Sequence, residues 1–262
     1  MKTTLRGTEV FYGTGTGQAG LNAPTVVFVH GAGFDHSVWV MPARYFARHG
    51  YRVIAPDLPA HGRTGGDPLT SIEAMADWLA ELLGEQAHGP AAIVGHSMGS
   101  LVAMSLAARH AERVNKIALL GTSAPMAVGA PLLEAAADSH HAAIEMANAW
   151  SHSMAGSMGA AQIPGVSNLV SGERWLERMA PGVYHADLAA CHHFSAPLSA
   201  LSEQPTLIIA GGADQMTPAR AGLEVAARLA NVQTLVLPGC GHSMLSEQPN
   251  QVLDGLAKFI LE

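Results

Sequence analysis

"AAIVGHSMGSLVAMSLAARH", residues 91–110, decides how this chain is read. An apolar run from Ala91 to His96 suits a buried strand, and the pattern from Met98 to His110 suits an apolar helix. Ser97 therefore falls on a sharp strand-to-helix turn, where bulky neighbours would clash and Gly95 and Gly99 supply room. The same turn sets the Ser97 hydroxyl and the Met98 amide at a helix N-terminus, favourable ground for a developing negative charge. The alternative is an inert serine in a glycine-bracketed turn. A nucleophile needs a base and an orienting acid elsewhere in the chain.

Outward from this stretch, short apolar runs alternate with longer amphipathic ones. "TVVFVH" (25–30), "YRVIAP" (51–56), "AAIVGH" (91–96), "KIALLG" (116–121), "TLIIAG" (206–211) and "VQTLVLP" (232–238) read as strands of a parallel sheet buried on both faces. Residues 38–49, 71–84, 98–110, 218–230 and 248–261 are expected as helices, with an antiparallel start from "TTLRG" and "EVFYG". Residues 122–200 show no strand pattern and read as a helical cap or lid inserted into a core of 1–121 and 201–262. Gly15, Gly17 and Gly20 match GxGxxG, but a strand rather than a helix follows, so they are read as a loop and not a dinucleotide site.

The 262 residues carry a formal charge of −7 and about half are hydrophobic, enough for a large core and without the basic footprint of a nucleic-acid binder. Two cysteines make no disulfide framework, and "MKTTLRGTEVFYG" lacks the apolar centre of a signal peptide, so a cytoplasmic location is expected. The apolar stretch near 117–137 is broken by Gly121, Pro125, Gly129 and Pro131, so no membrane span is proposed. Oligomeric state stays open.

The base and acid fall on the carboxyl edge of the same sheet, where chemistry collects in wound folds. "LPGCGHSMLSEQP" puts His242 just past the last strand, and "LIIAGGADQMTP" puts Asp214 just past the strand before it. Ser97, Asp214 and His242 are thus the expected catalytic set: nucleophile, orienting acid and base. In "VFVHGAGFDHSVW", His30-Gly31-Ala32-Gly33 brings backbone close to the nucleophile, with the Ala32 amide as oxyanion donor beside that of Met98. His30, His61 and His96 are expected to brace loops rather than move protons. Phe34, Trp39, Met126, Met146, Trp150 and Met154 are expected to line the substrate pocket. The insertion's histidines, His140, His141, His152, His185, His192 and His193, lack accompanying ligands at zinc-site spacing, and neither metal nor organic cofactor is expected.

Through "HGAG", "PDLPAHGRT", "GHSMGS", "GGADQMTP" and "GCGHSMLSEQP", the chain resembles the α/β-hydrolase fold superfamily over nearly all of its length outside 122–200. The resemblance implies a mostly parallel doubly wound sheet with a helical cap, and a serine esterase or lipase-like activity on a small ester. Epoxide hydrolases and haloalkane dehalogenases are expected to carry Asp where this chain has Ser97. Carbon–carbon bond hydrolases often show Asn where it has His96; these, lactone hydrolases and a non-catalytic ligand-binding or signalling protein are the alternatives. Within 122–200, Glu134, Asp138, Glu145, Glu173, Glu177 and Asp187 outnumber Arg174 and Arg178. Acids at a pocket mouth would repel anions, so a neutral ester is expected as substrate.

Overall fold

Every apolar run named above as a strand becomes one. The computed structural model describes residues 1–17, 19–20, 22–138, 141–159, 162, 165–201 and 203–262. Among these, β1 (Lys2–Leu5), β2 (Thr8–Gly13), β3 (Thr25–Val29), β4 (Arg52–Pro56), β5 (Ala91–His96), β6 (Val114–Leu120), β7 (Thr206–Gly211) and β8 (Val232–Leu237) form one sheet. Its order is β1-β2-β4-β3-β5-β6-β7-β8, antiparallel at β1, β2 and β4 and parallel from there on. The helices are α1 (Val40–Arg48), α2 (Ile72–Gln86), α3 (Met98–Arg109), α4 (Ala130–Ala137), α5 (His141–Ser151), α6 (Met154–Ser157), α7 (Asn168–Leu176), α8 (Val183–His193), α9 (Ala219–Ala226), α10 (Met244–Glu247) and α11 (Pro249–Leu261).

The two-residue period of a strand divides the core into two layers. Val27 and Val29 of β3 pack with Met75 and Leu79 of α2 and Leu101 of α3. Val26 and Phe28, pointing the other way, pack with Phe46 of α1 and Leu256 of α11. The last strand departs from the expected burial on both faces: Gln233, Thr234 and Val236 are exposed, because β8 is the sheet's edge and pairs only with β7. The helix expected over 218–230 runs only from Ala219 to Ala226.

Between β6 and β7 lie α4–α8, with no strand among the described residues. Ser153 and Ser167 start α6 and α7 by accepting from the Gly156 and Val170 amides. These helices share a small core of their own around Leu132, Ala147, Leu176 and Leu188, and Ala32 and Phe34 from the loop after β3 pack against it. No described helix is long and apolar enough to cross a membrane.

Candidate active site

At the end of β5 the chain turns through Ser97 with φ 53° and ψ −120°, a strained conformation for a residue with a side chain. A Cβ on Gly95 would collide with the Gly99 carbonyl, and one on Gly99 with the Val29 carbonyl. Both glycines are therefore what lets α3 rise so close to β5 and β3. The Ser97 amide donates to the Leu120 carbonyl at 2.9 Å, tying the turn to the end of β6.

Asp214 and His242 reach this edge from the loops after β7 and β8. His242 Nδ1–H donates to Asp214 Oδ2 at 2.8 Å and lies 3.1 Å from Thr217 Oγ, which itself donates to the same oxygen at 2.9 Å. Asp214 Oδ1 accepts from the Met216 and Thr217 amides at 2.8 Å each. Burial alone would raise the Asp214 carboxyl, but the neighbouring His242 and the Thr217 hydrogen bonds outweigh it and hold the group below its usual range. With Nδ1 committed to Asp214, the free lone pair of a neutral imidazole is on Nε2.

Two further histidines steady the site. His96 Nε2–H donates to the His242 carbonyl at 2.9 Å. Burial, then the adjacent His242, pushes its pKa down to about 3, so it stays neutral. His30 donates through Nδ1 to the Gly31 carbonyl at 2.9 Å and accepts the Leu58 amide through Nε2 at 3.1 Å. Burial, then the nearby His61, pushes it down to about 4.

The loop after β3 lies against the serine turn: a Cβ on Gly31 would stand 3.3 Å from that of Ser97. Ala32 in that loop lines the same cavity as Ser97 and His242. Met98 is fully buried at the first position of α3, where an amide has no intrahelical acceptor.

That cavity holds about 220 Å³ and is lined mainly by apolar side chains, with no Asp, Glu, Lys or Arg among the described residues lining it. Of the six residues expected there from the sequence, Phe34, Met126 and Trp150 line it. Trp39 does not: it is fully buried in the core, its ring 5.1 Å from that of Phe28 on the opposite layer. Met154 is 80% exposed to solvent, and Met146 packs on the core of the inserted helices instead. Missed from the sequence were Tyr184, Leu188 and Cys191, whose helical spacing aims one face of α8 at the cavity.

Two buried acids were also missed. Glu247 accepts from the Gly241 amide at 3.1 Å and from the Ser153 amide and hydroxyl at 2.9 and 2.6 Å, joining the His242 loop to α6. Asp187, counted above with the acids at the mouth, is fully buried and bound to His61 and the Gly33 amide. His61 is thus more than a turn residue. Glu177 is paired with Arg174 at 2.7 Å, so its charge is compensated. Of the insertion's histidines, His140 lies outside the described residues, and His141 sits 3.5 Å from Glu173 on the surface.

The sequence profile of the alpha/beta hydrolase family matches residues 26–254. A pimeloyl-[acyl-carrier protein] methyl ester esterase of Aromatoleum aromaticum is 31% identical over 245 residues, covering 87% of this chain and 95% of that protein. An sn-1-specific diacylglycerol lipase of Mus musculus is 27% identical over 255 residues, covering 90% and 81%. Among solved structures, an enol-lactonase from Burkholderia xenovorans superposes over 100% of both chains with a TM-score of 0.87 and 22% identity.

Proposed function

Since the chain belongs to the alpha/beta hydrolase family, and at that level is an ester-cleaving enzyme, we propose that it hydrolyses small neutral carboxylic esters through an acyl-enzyme on Ser97. In this mechanism His242 Nε2 takes the hydroxyl proton as Ser97 Oγ attacks the ester carbonyl. The Ala32 and Met98 amides hold the resulting oxyanion, and Asp214 stabilises the imidazolium through Nδ1–H. The alcohol leaves with the proton from His242. Water deprotonated by the same base then releases the acid and restores the serine.

The observation that carries this proposal is the His242 ring fixed by buried Asp214, opening with the strained Ser97 onto one cavity. A fluorophosphonate probe is expected to add once per chain, at Ser97, and Ser97→Ala should neither label nor turn over ester. Labelling that survives this substitution would move the nucleophile to another of the 17 serines.

We take residues 122–200 as a cap over the serine, whose inner face sets the substrate. At about 220 Å³ the cavity lies below the ~300–1,000 Å³ typical of drug-sized ligands and fits a short acyl or alkyl group. A carboxylate entering it would be desolvated without a cation to meet it. Of two matched esters, one neutral and one carrying a distal carboxylate, the neutral one should show the higher kcat/KM. That preference should survive high salt, because it arises from desolvation rather than from a field at the mouth. A preferred carboxylate ester would overturn this substrate assignment.

A further inference from the structure

Asp187 is one of the buried acids that the mechanism above leaves unused. It is fully buried in α8, and its Oδ2 accepts two hydrogen bonds, from the Gly33 backbone N–H and from His61 Nε2–H, each at 2.8 Å. His61 Nδ1 lies 3.0 Å from the Pro59 carbonyl, which can only accept. With Asp187 present as a carboxylate both ring nitrogens carry protons, and His61 and Asp187 form a buried ion pair. One carboxylate so joins three segments distant in sequence: the loop after β3, the turn after β4, and α8. Taking such a pair out of water often costs more than an apolar replacement, and among the described residues Asp187 Oδ1 has no hydrogen-bond partner. Stability alone gives little reason for an acid here.

Its place gives one. Gly33 follows Ala32 directly and has φ +73°, and a Cβ on it would strike Met179, Leu176 and Tyr184. The oxyanion loop thus rests against the inserted helices, with its peptide oriented by Asp187. We propose that Asp187 is a positioning residue, holding the Gly33 peptide so that the Ala32 amide faces the oxyanion formed at Ser97. This rests on the assignment of Ala32 and Ser97 made above.

The ion pair adds a pH signature. Burial disfavours the His61 imidazolium, but the Asp187 carboxylate and the Pro59 carbonyl outweigh it, so its pKa is raised. The other titratable groups facing it are Asp57 after β4, which also favours the charged form, and His30 at the end of β3, whose ring centroid is 4.8 Å away. The pair is intact below this raised pKa and is lost as pH rises through it. A lone pair on either nitrogen would then face an oxygen, and the loop would loosen.

Asp187→Asn keeps the shape and one acceptor oxygen but removes the charge; Asp187→Ala removes the acceptor. On a short neutral ester, Asp187→Ala is expected to lower kcat by about 10- to 100-fold, less than or near the loss of a whole oxyanion donor, with KM within about threefold. Amide exchange at Gly33 should rise by at least about tenfold in the same variant. Asp187→Asn should fall between it and the wild type, with its alkaline decline in kcat moved to lower pH. A folded Asp187→Ala enzyme with kcat within threefold of wild type, a loss confined to KM, or unchanged Gly33 exchange would overturn the proposal. If the alanine variant does not fold, a wild-type kcat and pH profile in Asp187→Asn overturns it instead. A wild type that cleaves no ester and takes no probe at Ser97 would sink the proposed function, while Gly33 exchange, which needs no substrate, would still decide whether Asp187 holds the loop.

Discussion

The two oxygens of Asp214 have separate duties: Oδ1 is held by two amides of its own loop, and Oδ2 faces His242. Asp214→Asn should preserve the loop yet present an amide N–H to Nδ1, favouring the wrong imidazole tautomer. A fall in kcat of roughly 10³- to 10⁴-fold is expected, the size seen for the corresponding change in a serine protease, and steady-state kinetics on a neutral ester measures it. Near-normal turnover would place the acid elsewhere. Thr217→Val should cost much less, a few-fold in kcat, because Asp214 keeps its contacts to His242 and both amides. The placement of Ser97, Asp214 and His242 at one sheet edge was legible because each follows an obvious strand. Thr217 was not, since a hydroxyl three residues after an aspartate and just before Pro218 reads equally well as a turn. Trp39 misled because a large aromatic near a glycine-rich loop has no marker for which face of the sheet it enters.

At the scale of elements, Glu247 shows how the inserted helices are fixed to the sheet. Its carboxylate receives the Gly241 amide and the Ser153 amide and hydroxyl, while the Ser243 amide donates to the Ser151 carbonyl at 2.8 Å alongside. Glu247→Ala would leave buried donors without acceptors, at a cost of about 2–4 kcal/mol, read as a lower midpoint in urea unfolding. An unchanged midpoint would mean that water or a neighbour replaces the carboxylate. The strands were legible from β-branched runs bounded by Gly and Pro, and so was the helical character of the insertion. The packing of α5 and α8 was not: their alanine-rich sequences carry weak periodicity, and long-range pairs such as Glu247 with Ser153 leave no local trace. The edge position of β8 was hidden for a similar reason, since "VQTLVLP" is apolar enough for an interior strand.

Across the whole molecule, stability should depend on pH through the buried neutral histidines. His30 and His96 titrate near 4 and 3 in the fold, against about 6.5 in an unfolded chain. Between about pH 6.5 and 4 the unfolded state binds protons that these two sites refuse, so stability falls on acidification by up to about 2.7 kcal/mol per pH unit. Asp214 and Asp57, held low by their partners, keep their contributions through this window and lose them only at lower pH. His61 has the opposite sign and weakens the fold on the alkaline side. Urea midpoints measured from pH 8 to 4 should therefore decline most steeply below 6.5, and a level curve there would mean that both histidines accept protons without unfolding. The insertion leaves the sheet after Leu120 and returns at Thr206, where β6 and β7 lie side by side with Ile117 opposite Thr206. A segment joined at one such doorway can be replaced, and the cavity beside Ser97 remodelled, without touching a strand. Asp187 and Glu247 restrain that freedom. A replacement lacking an acid at 187 strands His61 and the Gly33 amide, and one lacking the Ser153 donors strands Glu247. Substitutions at the remaining wall positions, Met126, Leu132, Trp150 and Leu188 among them, would reshape the cavity while leaving both attachments in place.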